Sequence, residues 1–251
     1  MCPFPAFPDC PSIRPVRLSD GFLSARPALA IDLGLGACVV AVGAAAENGD
    51  VRMLACVEEP MERGHQERIA PLVQQVMSVA GVTFADLCRV GVIVGPGSFT
   101  GLRVGLSFAR TLALALGVEC VGVTSLAALF RSASLPATDG VSVVAIPSRQ
   151  GQYYVEIYSD GVCVVAADLL DVTGIAARLA EVWTGGRLHW IGPAAAGLSV
   201  LAPGEILPMA WPKAAALIEL TLAAPTPGAP PRPLYLRAPD ARTIAERQAL
   251  V

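Results

Sequence analysis

The stretch Gly95-Pro96-Gly97-Ser98-Phe99-Thr100-Gly101-Leu102-Arg103-Val104-Gly105 constrains this chain more than any other. It follows a β-branched apolar run at 89–94 and opens an apolar run over about 100–116, so it joins a buried strand to a helix. Glycines at such a junction let backbone N–H groups and the helix dipole face an anion. They equally allow a tight turn with close helix packing, and both readings stand. The loop is not a Walker A motif, because Leu102 occupies the lysine place. A dinucleotide fingerprint fails as well, since the third glycine falls at 101 instead of 100. Ser98 lacks the G-x-S-x-G frame of a nucleophile elbow.

Around this junction the pattern is legible. Apolar runs at 28–33, 37–44 and 51–58, separated by short Gly/Asn/Asp turns, predict three antiparallel strands. Ile69, Leu72, Val73, Val76, Met77 and Ala80 recur at three and four, which predicts an amphipathic helix over 66–80 capped by Gly81. Strand 89–94, helix 100–116, strand 119–123 and a helix from Thr124 follow. A second set is expected: strands at 141–146, 152–158 and 162–167, helices near 172–183 and 212–223, then a proline-rich linker over 225–233. Two related α/β lobes result, divided as 28–125 and 126–224, with a proline-rich arm at 1–27 and a Pro/Arg-containing segment at 225–251.

Composition excludes several classes. With 54% hydrophobic and 16% charged residues, the chain is no disordered or coiled-coil protein. Its net charge of −3 provides no general field for nucleic acid. The 28–46 run is long enough to span a bilayer, but Asp32, Gly34, Gly36 and Gly43 make it strand, turn, strand. Residues 1–27 carry no apolar stretch of signal-peptide length. Seven scattered cysteines without a C-x-x-C fit a reduced, cytoplasmic compartment. Two histidines, His65 and His189, form no helical ligand pair.

The run 91–129, with G-P-G-S-F-T-G-x-R-x-G at its centre, closely resembles the TsaB/YeaZ-type dimerisation subunit of the bacterial tRNA threonylcarbamoyladenosine synthase. The A-I-D at 30–32, His65 with Glu67-Arg68, Ala145-Ile146 with Arg149, and the P-L-Y-L-R at 233–237 support it. The resemblance implies two actin-like (ribonuclease-H-like) lobes, each a mixed sheet with flanking helices. It implies a non-catalytic scaffold that dimerises with a TsaD-type catalytic paralogue, which installs threonylcarbamoyl on N6 of the adenosine beside the anticodon of ANN-decoding tRNAs. That paralogue's two metal-binding histidines fall at Ser125 and Leu129 here. A TsaE-type P-loop ATPase is the further partner implied, with tRNA met through the complex, a homodimer when alone, and no membrane.

In actin-like ATPases the first hairpin turn cradles phosphates. The corresponding candidates are Asp32, Gly34 and Gly36, with Gly95, Gly97, Ser98, Thr100 and Gly101 of the loop and Arg149 of the second lobe. Leu33 and Leu35 stand where the family has a hydroxyl, and Pro147 replaces its second-lobe aspartate. The expectation is therefore no required cofactor and at most weak ATP or ADP with magnesium. The rival reading is an autonomous actin-like ATPase or small-molecule kinase. For the partner interface, helices 66–80 and 100–116 nominate Leu72, Val76, Leu106, Arg110 and Ala113. A weaker variant has Arg232, Arg237, Arg242 and Arg247 touching tRNA.

Overall fold

A computed structural model of the chain describes residues 14–15, 26–46, 50–61, 63–136 and 138–236. Most of the 1–27 arm, and Arg237, Arg242 and Arg247 of the tail, lie outside the described residues. The short β1 (Arg14–Pro15) pairs with the edge of a meander formed by β2 (Ala28–Asp32), β3 (Ala37–Ala45) and β4 (Val51–Pro60). Then come α1 (His65–Ala80), a 3₁₀ turn (Phe84–Asp86), β5 (Arg89–Gly95), α2 (Phe99–Leu116), β6 (Glu119–Thr124) and α3 (Ser125–Ala133). β2 is buried at every position. Helices cover both faces of its sheet, so it reads as continuous apolar chain rather than an alternation.

The second half repeats this order. β7 (Val141–Pro147), β8 (Gln152–Ser159) and β9 (Val162–Asp171) form the meander, followed by α4 (Val172–Val182), β10 (Leu188–Ile191), α5 (Ala195–Leu198), β11 (Glu205–Leu207) and α6 (Ala214–Ala223). The first sheet runs β4-β3-β2-β5-β6 behind β1, and the second runs β9-β8-β7-β10-β11. In each, three antiparallel strands are followed by two that run parallel to the central one. The expected pair of related α/β lobes is thus present, and the duplication is plain in the topology although the two sequences have diverged.

α6 departs from the division at 126–224. It lies across β2, β3, β4 and β5 of the first sheet, although its chain follows the second. Gly91 makes room for it: a Cβ there would sit 1.9 Å from Thr221 Oγ1. Both ends are held from the first sheet. Glu58 of β4 accepts from Ala214 N and from Trp211 Nε1, each at 3.2 Å. Arg89 of β5 donates to the carbonyls of Thr221 (3.2 Å) and Ala224 (2.5 Å) while pairing with Glu119. A carboxylate at the helix start and a guanidinium at its end match the helix dipole.

The interface nominations need correction. Leu72, Val76, Leu106 and Ala113 are all buried within the chain, between 0 and 4% exposed. They form the stripe that α1 and α2 turn toward the first sheet. An apolar stripe at helical spacing marks the core side first, so the outward face carries other residues. Of the five, Arg110 is exposed.

Candidate functional site

The β2–β3 turn and the β5–α2 loop meet at the ends of their strands. Asp32 closes β2 and is fully buried. Its Oδ1 accepts from Gly34 N at 2.6 Å, whereas Oδ2 has no partner among the described residues. Burial in this apolar setting pushes the carboxyl up to about 7, against the smaller opposing pull of the Gly34 hydrogen bond.

The loop glycines serve backbone contact. Ser98 N donates to Gly34 O at 2.8 Å. A Cβ on Gly97 would lie 2.4 Å from Gly34 O, and one on Gly101 would lie 1.9 Å from Leu33 O. Ser98 also caps α2, its Oγ accepting from Gly101 N at 3.3 Å. Close packing, one of the two readings of the loop, is therefore realised at Gly97 and Gly101. Gly95 turns out of β5 with a positive φ of 117°, and Thr100 is exposed in the first turn of α2.

Leu33 and Leu35 fill the space beside the turn. Leu33 packs over Gly105 of α2, within the first-lobe core. Leu35 joins Leu126, Leu129, Val144, Ile146, Tyr158 and Ile191, a cluster that spans the two lobes. Gly36 has open space where a Cβ would be. Arg149 lies on the other sheet, in the exposed β7–β8 turn that is the topological counterpart of the 32–36 turn. Gly192-Pro193 after β10 likewise mirrors Gly95-Pro96 after β5. A magnesium-bound phosphate asks for several oxygen ligands. This turn offers one buried carboxylate, followed by Leu33 and Leu35, and no hydroxyl, a set that fits such a group poorly.

Sequence reasoning missed a cluster at the start of α2. Leu234 N donates to Val94 O at 2.8 Å. That contact brings Tyr235 to Phe99, with ring centroids 5.9 Å apart. Arg103 lies 3.7 Å over the Phe99 ring and donates to Tyr235 Oη at 3.3 Å. The P-L-Y-L-R motif was visible, but nothing local in it tells where it docks. Beyond this cluster Val79 of α1 (42% exposed) and Leu114 of α2 (83% exposed) face outward, as do Ser107, Arg110 and Thr111 of α2. α2 is long and apolar enough to cross a membrane by length and composition, and here it lies against β5 and β6.

A family model for tRNA N6-adenosine threonylcarbamoyltransferase (TsaD) matches residues 57–177. An uncharacterized protein of Mycobacterium tuberculosis is 34% identical over 183 residues, 73% of this chain and 80% of its own length. The tRNA threonylcarbamoyladenosine biosynthesis protein TsaB of Escherichia coli is 33% identical over 126 residues, 50% of this chain and 52% of its own. Among solved structures, YeaZ from Pseudomonas aeruginosa is similar with a TM-score of 0.62 and 25% identity, covering 78% of this chain and 90% of that one.

Proposed function

Because the chain belongs to the TsaB/YeaZ family, we propose that it serves the biosynthesis of threonylcarbamoyladenosine in tRNA as a non-catalytic, activating subunit. Its partner in this reading is the TsaD-type catalytic relative, with a TsaE-type P-loop ATPase joining the complex in the cytoplasm. The observation that carries the reading is the state of the turn region. Leu33 and Leu35 follow Asp32 and are packed into the first-lobe core and the inter-lobe cluster, and the glycine loop is closed on the turn by the Ser98–Gly34 hydrogen bond. At the two places where the catalytic relative is expected to hold metal stand Ser125 and Leu129, both fully buried. A leucine cannot ligate metal, so chemistry at this centre falls to the partner. The chain requires no cofactor of its own, and any ATP or ADP with magnesium binds weakly.

Docking is assigned to the outward face of α1 and α2, where Val79, Arg110 and Leu114 are exposed. The same face pairs two copies when the partner is absent. The test is size-exclusion chromatography with light scattering, on the chain alone and mixed with the TsaD-type protein of the same organism. A 1:1 complex that replaces a homodimer, and is lost in Leu114→Glu with unchanged melting, is the expected result. Absence of any complex, together with Mg-ATP turnover by the chain alone, would overturn it in favour of an autonomous ATPase or kinase.

A further inference from the structure

We propose that the groove between α2 and the proline-rich segment 227–233 is a binding site for an acidic peptide segment. The groove is open to solvent along its length and has a volume of about 790 Å³. Leu106 and Ala113 on its α2 side are core residues of the first lobe, so its floor is set by the fold. The opposite wall is Pro227, Pro230 and Pro233. This segment is fastened at both ends: Arg89 donates to Ala224 O at 2.5 Å, and Leu234 N donates to Val94 O at 2.8 Å. The cleft is thus held open along a helix rather than closed around a small molecule.

Charge selects the occupant. Arg103 and Arg110 both line the groove and are both exposed. They stand seven residues apart on one helical face, about 10 Å along the axis. α2 contains no acidic residue. Glu119, the one carboxylate lining the groove, is paired with Arg89 at 2.5 Å. Among the described residues Arg103 meets the Phe99 ring and the Tyr235 hydroxyl, and no carboxylate pairs with it or with Arg110. A peptide in the polyproline II conformation advances about 3.1 Å per residue with three residues per turn, so two carboxylates three residues apart share one side, about 9 Å apart, and reach both guanidiniums. An apolar side chain between them meets Leu114 and the prolines. RNA phosphates would gain the charges but leave that apolar floor unused.

The test is fluorescence anisotropy of the full chain with fluorescein-labelled Gly-Glu-Ala-Leu-Glu-Gly. Saturable binding is expected, weakened about tenfold by Arg110→Ala and reduced by added salt. The peptide with both glutamates replaced by glutamine should bind far less. Equal binding of the glutamine peptide, indifference to Arg110→Ala, or no binding at millimolar peptide would each overturn the proposal. So would an oligouridylate that binds more tightly than the peptide and displaces it. Arg110 and Leu114 also lie on the face assigned above to docking, so peptide and second copy compete there. The titration is run at a chain concentration where light scattering shows the monomer, and a negative result then leaves the test of complex formation untouched.

Discussion

Asp32 carries an electrostatic consequence that falls within an accessible pH range. Its carboxyl titrates near 3.8 in an unfolded chain and is pushed up to about 7 by burial. Between those values the folded chain holds a proton that the unfolded chain releases. The stability contributed is full below the unfolded value, declines as pH rises, and is gone once pH passes the folded value. A gap of about three pH units corresponds to roughly 4 kcal/mol at most. Urea midpoints of the native chain should therefore fall between pH 5 and pH 8, and Asp32→Asn should flatten that slope. An unchanged slope would show that the carboxylate is solvated when charged. Gly101 gives a steric counterpart. A methyl group there would meet the Leu33 carbonyl, a backbone atom that cannot rotate away. Gly101→Ala should cost about 3 kcal/mol, in the range of overpacked sites, read as a fall in the denaturant midpoint, while Gly36→Ala escapes that clash.

At the scale of elements, periodicity located nearly every long helix and strand, because each buries a face whose spacing shows in the chain. β10 and β11 escaped notice, with four and three residues; L-H-W-I and E-I-L are too short to display alternation. The exposed side of α1 and α2 was not legible for a related reason. The apolar stripe marks what the sheet takes, and Leu114 stands outside it. The destination of α6 was not legible either. A-A-A-L-I-E-L-T-L-A is apolar on nearly every side, with Glu219 its one charge, so its pattern names no sheet. What decides is the fit of Thr221 against Gly91 and the clamps at Glu58 and Arg89. Gly91→Ala should drive Thr221 off β5 and destabilise the chain by about 2–3 kcal/mol, with part of the loss recovered in the double variant carrying Thr221→Ala. Glu58→Ala removes the carboxylate at the start of α6 and should cost about 1 kcal/mol, measured as a lowered Tm. A loss in Gly91→Ala that Thr221→Ala leaves unchanged would mean that the two positions do not touch.

On the scale of the whole molecule, the two lobes are tied crosswise. α6 leaves the second repeat to cover the first sheet, while α3 ends the first repeat and packs on β7 and β10 as well as on β5 and β6. Leu35 adds a third tie from the 32–36 turn, entering the cluster with Val144, Ile146, Tyr158 and Ile191 of the second lobe. The 32–36 turn is thereby part of the seam. Two domains so joined cannot open independently, since separating them exposes apolar surface from both. Unfolding should therefore be one cooperative transition. In Trp211→Phe, which removes the tryptophan held by Glu58 of the first sheet, fluorescence of Trp190 and Trp183 reports on the second-lobe core, and far-ultraviolet circular dichroism reports on the whole. The two curves should coincide in urea. Leu35→Ala, which removes a side chain at the edge of the seam, should lower both midpoints together, for a stability loss of about 2 kcal/mol. Curves that separate in the Trp211→Phe chain would show that the lobes unfold apart and that the crosswise helices do not couple them. Curves that separate only in Leu35→Ala would place the coupling in the seam itself, with α3 and α6 as passive covers.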